Sequence, residues 1–583
     1  MHDVPGQEEG LVALRQAIGQ RWPIATEVPG DALEKRFPAR RLVAGWRIPG
    51  LLPGEPHDLL VAVDQEFPWS LPLVALPEAT KAISYPHVEV DGHLCLTPSE
   101  SAFVLPVGIE HVVQLLSDAC DVLAQGCSGA NDDDFYAEGQ SYWSLVQPSR
   151  GSIWLVSPPP EEHALWVSAV TGDSFVVGPK KQALQDWADA GRRRLLGGFE
   201  PALVVRLDAP LHPKEYPLTM KDLTSFIKQQ GAGAQLQAAV ARWHARRELP
   251  VVLVFPHGGK TVCLGATFLA PCQVRLPGAR HSGLPGFRSG AKGRKGAARL
   301  VALGMVPGRF PHLRVTPVYR AFLHERTAGA AAVPLAACHV IVAGCGAIGG
   351  QLAVQLVQAG VGRLTLLDGD VLTWQNVGRH VVDSSAVGQS KAKALEQAIR
   401  IRFPDAQVEG IPKTWQAYRR DDGAAFNEAD LMIAATGDAA GNLHLDSLSA
   451  NGEVPATIFT WIEPFGVAAH ALLRVGDRGL RDVTDAMGRL SEPVADLTSA
   501  PLLPREPACG AFYQPYSSLS SLPCVALAGQ LALDALNGRV SRAVHRVWVG
   551  GPDEFGDNGL SLHAAWLTRL NSHGYHRRYE FIV

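Results

Sequence analysis

The stretch from Cys338 to Lys391 constrains what this chain can fold into more than any other. It opens with the apolar run His339-Val340-Ile341-Val342-Ala343, which has the make-up of a strand buried in a parallel sheet. Gly344-Cys345-Gly346-Ala347-Ile348-Gly349 follows as a GxGxxG turn, and Leu352, Leu356 and Val361 then recur at near-helical spacing. A second apolar run, Leu364-Thr365-Leu366-Leu367, ends in Asp368-Gly369-Asp370. The order is strand, helix, strand, with a carboxylate about 20 positions past the glycines, where it meets a ribose hydroxyl. Gly344, Gly346 and Gly349 let the backbone approach a phosphate. The helix N-terminus adds unpaired N–H groups and the positive end of its dipole.

Such a turn also serves nicotinamide cofactors, but the residues downstream argue for a triphosphate. Asn376 and Arg379 lie in Trp374-Gln375-Asn376-Val377-Gly378-Arg379-His380. Lys391 begins a helix after Val387-Gly388-Gln389-Ser390, and Asp438 follows the strand Asp430-Leu431-Met432-Ile433-Ala434-Ala435. A pyrophosphate cradled by backbone needs few cations. A triphosphate that is cleaved needs Arg, Lys and a metal-binding carboxylate. On the motifs LTLLDGDVLTWQNVGRHVV and VGQSKAKAL, this part of the chain resembles the adenylation domain shared by ThiF, MoeB and ubiquitin-activating enzymes. The resemblance implies ATP and Mg2+ as cofactors. It makes Asp368, with Asp370 beside it, the ribose contact, Arg379 and Lys391 the triphosphate contacts, and Asp438 the Mg2+ ligand. Asn376 shapes the same pocket.

A chain of 583 residues should hold several domains. Hydrophobic content of 46% is ample for their cores, and the net charge of -4 is unremarkable. From Leu249 to His324 there is no Asp or Glu, against eleven Lys and Arg. The nine cysteines form no CxxC pair, so no structural zinc is expected. Their odd number, and a start at Met1-His2-Asp3-Val4 with no apolar leader, point to a reducing cytoplasm. No apolar run looks long enough to span a bilayer, so no membrane partner is expected.

The N-terminal part begins with an amphipathic helix over residues 5 to 22, carrying Leu11, Leu14 and Ile18 on one face. Strand-like runs follow at Arg41–Ile48 and Leu59–Val63, then Phe67-Pro68 and Pro72, then the segment from Tyr85-Pro86-His87 to Gly92-His93-Leu94-Cys95-Leu96. Val107 to Leu123 reads as a helix. This order, and the Cys segment above all, resembles a ubiquitin-conjugating domain over roughly residues 5 to 145. Tyr85 and His87 stand where that family has the His and Asn of a His-Pro-Asn turn. The resemblance makes Cys95 a thioester-forming nucleophile and gives His87 the role of that Asn, donating a hydrogen bond. The plainer alternative is that Cys95 is a small buried hydrophobe. Its polar neighbours, Asp91-Gly92-His93 before and Thr97-Pro98-Ser99-Glu100 after, favour a partly exposed thiol. Cys120 lies in an apolar helix and reads as core, and Cys127 has no evident partner. Asn131-Asp132-Asp133-Asp134 reads as a solvated or helix-capping acidic turn.

The middle of the chain is less legible. Ile153–Val156, Leu203–Leu207 and Val251–Phe255 read as strands, with helices over Leu223–Ile227 and Leu236–Arg247. The Gly- and Lys/Arg-rich tract Arg280–Arg299 reads as a surface loop, or as a docking site for an acidic partner. Further on, Arg326 precedes the glycine turn, as does Arg320. In MoeB-like homodimers an Arg so placed reaches the neighbouring subunit's phosphates, which makes Arg326 the first candidate and Arg320 the reserve. Cys509-Gly510 ends a Pro-rich loop just ahead of a helical stretch, Leu519 to Leu536. In ubiquitin-activating enzymes the nucleophilic cysteine lies on such a crossover loop, and a helix N-terminus favours a thiolate there. Cys524 reads as core.

The expected architecture is multidomain, α/β and α+β. Residues 1–150 form a ubiquitin-conjugating-like α+β domain, 151–325 an α/β linker domain, and 326–583 a Rossmann-like ThiF adenylation domain. The arrangement resembles the bacterial fusion ligases of CBASS anti-phage operons. That likeness implies a partner protein activated at its C-terminus, either a cGAS-like nucleotidyltransferase or a ubiquitin-like protein. It also implies thioesters on Cys509 and then Cys95, a target lysine as acceptor, and a homodimer. Sulfur-carrier activation of the ThiF or MoeB kind is the main alternative. A scaffold without turnover and a dehydrogenase are further ones.

Overall fold

The computed structural model describes residues 6–50, 58–78, 83, 85–96, 106–244, 246–270, 296, 300, 304–305, 308–328, 335–404, 406–496 and 515–583, with backbone alone at 325–328. The chain forms two compact units, Met1–Lys181 with Leu196–Thr316, and Gln182–Leu195 with Pro317–Val583.

The first unit begins with helix α1 (Gln7–Arg21), whose Gly10, Leu14 and Ile18 share one buried face. A four-stranded antiparallel sheet follows in sequential order: β1 (Thr26–Glu27), β2 (Leu42–Ile48), β3 (Leu59–Asp64) and β4 (Leu73–Ala75), with α2 (Gly30–Arg36) after β1. The period of a strand explains why β3 is apolar throughout. Leu59, Val61 and Val63 face α1 and the long helix α3 (Ile109–Ser128), while Leu60 and Ala62 pack with Leu33 of α2. Helix α3 runs further than the Val107–Leu123 expected from periodicity and ends at Gly129, whose φ of +72° suits a glycine.

Two short helices, α4 (Asp133–Ala137) and α5 (Gly139–Val146), lead into a closed seven-stranded barrel. Its strands are β5 (Ser152–Leu155), β6 (Ala164–Thr171), β7 (Ser174–Gly178), β8 (Leu196–Arg206), β9 (Leu249–His257), β10 (Lys260–Phe268) and β11 (Leu313–Pro317), in spatial order β10-β11-β5-β7-β6-β8-β9. Helices α6 (Met220–Gln229) and α7 (Gly233–Arg242) share a core with one face of β8, β9 and β10. The expected strands and the first expected helix are present. The second helix stops short of Arg247, because buried Trp243 turns to extended backbone and its Nε1–H donates to the Arg247 carbonyl at 2.8 Å. Phe135, Tyr142 and Trp143 of α4 and α5 enter the same core, as does Ile83. Trp143 is fully buried, donates to the Gly265 carbonyl at 2.7 Å and stacks on His312 at 3.7 Å. The basic tract Arg280–Arg299 lies outside the described residues, except for Gly296.

The second unit takes in most of the helix Lys181–Ala190, continues with α8 (Arg320–Ala328) and is built on an eight-stranded sheet. Strand β12 (His339–Ala343), helix α9 (Ala347–Gln358) and strand β13 (Arg363–Leu367) form the expected strand–helix–strand unit. After α10 (Trp374–Val377) and α11 (Lys391–Arg402) come β14 (Gln407–Ile411), α12 (Trp415–Asp421), β15 (Leu431–Ala434), α13 (Ala439–Ala450), β16 (Thr457–Ile462) and β17 (Ala468–Leu473). The sheet then receives β19 (Val544–Val549) and β21 (Arg577–Ile582), while β18 (Ala495–Asp496) and β20 (Ser561–Leu562) pair separately. The strand order is β14-β13-β12-β15-β16-β17-β19-β21, parallel up to β16 and antiparallel beyond. Alternate residues of β12 go to opposite faces. Val340 and Val342 meet α9 and α11, and Ile341 and Ala343 meet Trp415, Phe426, Leu445 and Leu448.

Helix α14 (Ser518–Leu536) corrects one sequence expectation, since it is long and apolar enough to cross a membrane by length and composition. In this fold it packs with α9, β16 and β17, burying Cys524, Val525, Leu527, Ala528, Leu531 and Ala532. Its buried Asp534 takes a 2.8 Å ion pair from Arg546.

Trp143→Ala should lower the stability of the first unit by roughly 3–5 kcal/mol, through the cavity and the lost hydrogen bond. Urea unfolding followed by fluorescence of this unit checks it, and an unmoved midpoint would mean that α5 is not part of the barrel core.

Candidate active sites

In the second unit, the register of the sheet assembles the site. Ala343 of β12 pairs with Leu367 of β13 and with Ala434 of β15, so three parallel strands end at one level. Their continuations carry the glycine turn, Asp368–Asp370 and Asp438 into the crevice at the carboxyl ends of the strands. Gly344 has φ +87°, and a Cβ there would lie 2.5 Å from the Ala435 carbonyl oxygen. At Gly349 a Cβ would lie 1.8 Å from the Gly344 carbonyl oxygen, so α9 can seat against the turn only with glycine. Gly346 caps α9 and has open space where a Cβ would point, which leaves room for a ligand at the helix N-terminus.

Asp368 is held from both sides. One oxygen accepts the Cys345 N–H and the other the Asp370 N–H, each at 2.8 Å. Lys391 begins α11, is largely buried and pairs with Asp370 at 2.9 Å. The Arg379 guanidinium lies 4.8 Å over the ring of Tyr516. Asn376 has a more local duty than expected, because its side-chain oxygen accepts the N–H and hydroxyl of Thr373 and so caps α10. Arg320, the reserve for the trans role, is already committed: its guanidinium donates to the carbonyls of Val361 and Gly362. The backbone of Arg326 lies in α8, and its side chain is outside the described residues.

Asp438 is the N-cap of α13. One oxygen accepts the Gly441 N–H at 2.9 Å, and the other takes only a long 3.5 Å contact from Gln416. Among the described residues no cluster of three His, Cys, Asp or Glu could hold a metal ion. The donor set suits Mg2+ of the kind carried by a nucleotide, with one protein carboxylate and the remaining positions filled by phosphate and water.

His380 escaped the sequence reading. Its Nδ1 accepts the Val382 N–H at 3.1 Å, so the ring proton sits on Nε2, which donates to the Cys345 carbonyl at 2.6 Å. Burial holds this imidazole below its usual range and therefore neutral. The two peptide groups that flank Cys345 are thus each held, one by Asp368 on the Cys345 N–H and the next by His380 on the Cys345 carbonyl. No periodicity marks such a residue; only its place beside Arg379 could have drawn attention.

Cys509 lies outside the described residues. The segment leading toward it is anchored at its described end: buried Glu463 accepts the N–H groups of Val494 and Ala495 at 2.7 Å each and meets His470 at 2.9 Å. Cys524 is fully buried, and burial pushes its thiol up to about 12, in line with a core role.

In the first unit, Cys95 is exposed on the loop after β4, and its N–H donates to the His87 carbonyl at 2.8 Å. Arg36 ties this loop down by donating to the carbonyls of Leu76, Pro77 and Asp91. His87 has φ +61°, a strained backbone for a non-glycine residue. Its N–H donates to the Tyr142 hydroxyl at 2.8 Å, and its Nε2 pairs with Asp134 at 3.0 Å. The acidic turn is therefore not simply solvated: Asp134 meets His87, and Asp133 meets His257 at 3.3 Å. Glu138 accepts the Tyr142 hydroxyl at 3.0 Å and stands 3.8 Å from His87 Nδ1. Partial burial, then the carboxylates of Glu138 and Glu89, push the Cys95 thiol above its usual range. Asp134, Glu138 and Tyr142 carried no signal that linked them to Cys95, since they lie about 40 to 50 positions away on separate helices, beyond the reach of local pattern.

Residues 325–458 match the ThiF family, and residues 18–150 match prokaryotic E2 family B. A protein of Pseudomonas aeruginosa called ATP-dependent ubiquitin transferase-like protein Cap2 is 30% identical over 238 residues, 39% of this chain and 42% of that one. Its namesake from Enterobacter hormaechei is 29% identical over 175 residues, 29% of this chain and 28% of that one. The chain thus spans less than half the length of these relatives. A shorter stretch of 67 residues is 48% identical to the mouse adenylyltransferase and sulfurtransferase MOCS3, covering 11% of this chain and 15% of that one.

The raised Cys95 thiol leaves less thiolate at neutral pH than a free cysteine has. In a Cys127→Ser background, iodoacetamide should therefore label Cys95 with a rate–pH midpoint above that of a free cysteine. Glu138→Gln removes a negative charge, so it should lower that midpoint and raise labelling at pH 8 by roughly two- to threefold. Identical pH curves for the two proteins would show that Glu138 does not act on this thiol. One chain thus joins a segment that matches prokaryotic E2 family B to a segment that matches the ThiF family.

Proposed function

We propose that this chain is an ATP-dependent protein-conjugating enzyme. The observation that carries this reading is the presence in one chain of two sites: a glycine turn with Asp368, Arg379, Lys391 and Asp438, and a cysteine loop built on Tyr85-Pro86-His87. In the first, the partner's C-terminal carboxylate attacks the α-phosphorus of ATP, giving an acyl-adenylate and pyrophosphate. Arg379 and Lys391 balance the phosphate charge, and Asp438 would hold Mg2+, which when bound draws charge from the leaving pyrophosphate. Cys509 then displaces AMP as a thioester, Cys95 accepts the acyl group by transthiolation, and a target lysine takes it as an amide. Two thioesters divide a hard step into easier ones. The partner is a cGAS-like nucleotidyltransferase, as the likeness to CBASS anti-phage ligases suggests, or a ubiquitin-like protein. The seven free cysteines among the described residues suit a reducing cytoplasm.

The protein acts as a homodimer of about twice 62.4 kDa, with Arg326 reaching the partner subunit's phosphates. Sulfur-carrier activation is a second reading, favoured by the higher local identity to MOCS3. It differs in making Cys95 dispensable.

Asp438→Asn keeps the helix cap while removing the charge. It should cost about 3 kcal/mol or more of transition-state stabilisation, so ATP–pyrophosphate exchange falls roughly a hundredfold. Mixing it with Arg326→Ala subunits should restore part of the exchange. Undiminished exchange in Asp438→Asn would displace the metal site, and a fully active monomer by light scattering would end the trans role.

The relay separates the two readings. Cys509→Ala should still form adenylate but no thioester, whereas Cys95→Ala should collect a thiol-labile adduct on Cys509 and give no amide. Non-reducing gels with ATP and the partner read both. Wild-type amide yield from Cys95→Ala would leave sulfur-carrier activation ahead.

A further inference from the structure

We propose that one mouth of the seven-stranded barrel binds a small zwitterion, a free α-amino acid with an apolar side chain. The inference stands apart from both catalytic sites and rests on the first unit alone. The strand register brings one end of each of the seven strands to this mouth. Strands β6 and β10 end here and the other five begin here, since Thr171 pairs with Ser174, Val170 with Leu196, Phe268 with Leu249 and Gly265 with Leu313, while β5 runs parallel to β7 and β9 to β8. The strand ends enclose a cavity of about 300 Å3 with Val170, Phe175, Pro311 and Leu313 as its apolar wall. That is the size of a small-molecule pocket, and barrel mouths are a common place for one.

Thr267 is the residue that calls for a ligand. Leu264, Ala266 and Phe268 of β10 face outward, into the core shared with the helices. Thr267 therefore takes the opposite face of the strand, toward the inside of the barrel, where it lines the cavity. It is only 1% exposed, and its hydroxyl is buried with no hydrogen-bond partner among the described residues. Buried hydroxyls are normally paired, and an unpaired one costs free energy. A polar group of a ligand seated in the mouth would pair it.

The rim carries both signs of charge. Arg247 and Asp173 line the cavity, and among the described residues neither forms an ion pair, with the other or with a third group. The Arg247 guanidinium lies against Gly197, where a Cβ would collide with it. Glu248 adds a second carboxylate to the lining. A simple carboxylate would meet Arg247 but be repelled by Asp173 and Glu248, and a simple amine would leave Arg247 unpaired. A zwitterion answers both signs at once. An α-amino acid carries its two charges on one carbon and leaves its side chain for the apolar wall.

The test uses the full chain, dialysed to equilibrium against radiolabelled leucine, valine and methionine in turn. At least one should bind, with one molecule per chain. Its amide lacks the carboxylate and its deaminated acid lacks the ammonium, so each should compete roughly 10- to 100-fold more weakly than the parent. Arg247→Gln should bring the amino acid down to the level of its amide, and Asp173→Asn should narrow its advantage over the deaminated acid. Thr267→Val keeps the side-chain shape and removes the unpaired hydroxyl. It should weaken binding while raising the thermal midpoint of the free protein, a combination that a misfolded variant cannot give. Failure of all three amino acids to bind overturns the inference. So does a deaminated acid or an amide that binds as well as its parent, and so does unchanged affinity in Thr267→Val.

Discussion

A Cβ at position 349 would lie 1.8 Å from the carbonyl oxygen of Gly344, and the second unit depends on that close approach. It lets α9 begin directly against the end of β12, so that unpaired N–H groups at its first turn face the same crevice as Asp368 and Asp438. The two peptide groups that flank Cys345 are held, because Asp368 accepts the Cys345 N–H of the first and His380 donates to the Cys345 carbonyl of the second. A glycine turn is ordinarily permissive. Here side chains from two later segments restrict that freedom and leave a preorganised turn, which on the proposed reading costs little reorganisation when phosphate binds.

The cysteine loop of the first unit follows a similar logic with other means. Arg36 gathers three carbonyls of the loop, and Tyr142 fixes the His87 N–H. Positive φ at a histidine costs free energy, of order 1–3 kcal/mol, and persists because the hydroxyl and the two carboxylates around His87 over-determine its place. The load passes through α5 to Trp143, buried in the barrel core. The barrel is therefore joined to the cysteine loop by side-chain structure, where sequence alone suggested a linker.

The parts legible in sequence are those with a local period or a local backbone need. The strand–turn–helix of residues 339–358, the apolar run of β3 and the amphipathic α1 and α3 all follow from residues within one or two turns of each other. Asp438 stood out because it follows a strand. What stayed hidden is set by contacts distant in sequence. Asp134 read as solvated or helix-capping because His87 lies 47 positions away, and nothing marked His380 because its partner carbonyl is 35 positions back. Asn376 was read as a pocket residue, although a Thr-x-x-Asn spacing at Thr373 also signals a cap. The barrel closure of β10 on β11 was out of reach for the same reason, since the two strands are separated by the long basic tract.

Both centres hold carboxylates beside cations, and on the proposed reading their arrangement sorts the reactants. In the second unit Asp368 is taken up by backbone N–H groups and Asp370 by Lys391, with Arg379 for an anionic nucleotide, while Glu138 and Glu89 act on the thiol of Cys95 more than Arg40 offsets. A thioester is neutral, so the acyl group can enter a field that would reject phosphate. Burial, then the carboxylates of Glu138 and Glu89, hold the Cys95 thiol above its usual range, and a thiol of higher pKa leaves more slowly when a nucleophile attacks its acyl group. Water gains little from such a carrier.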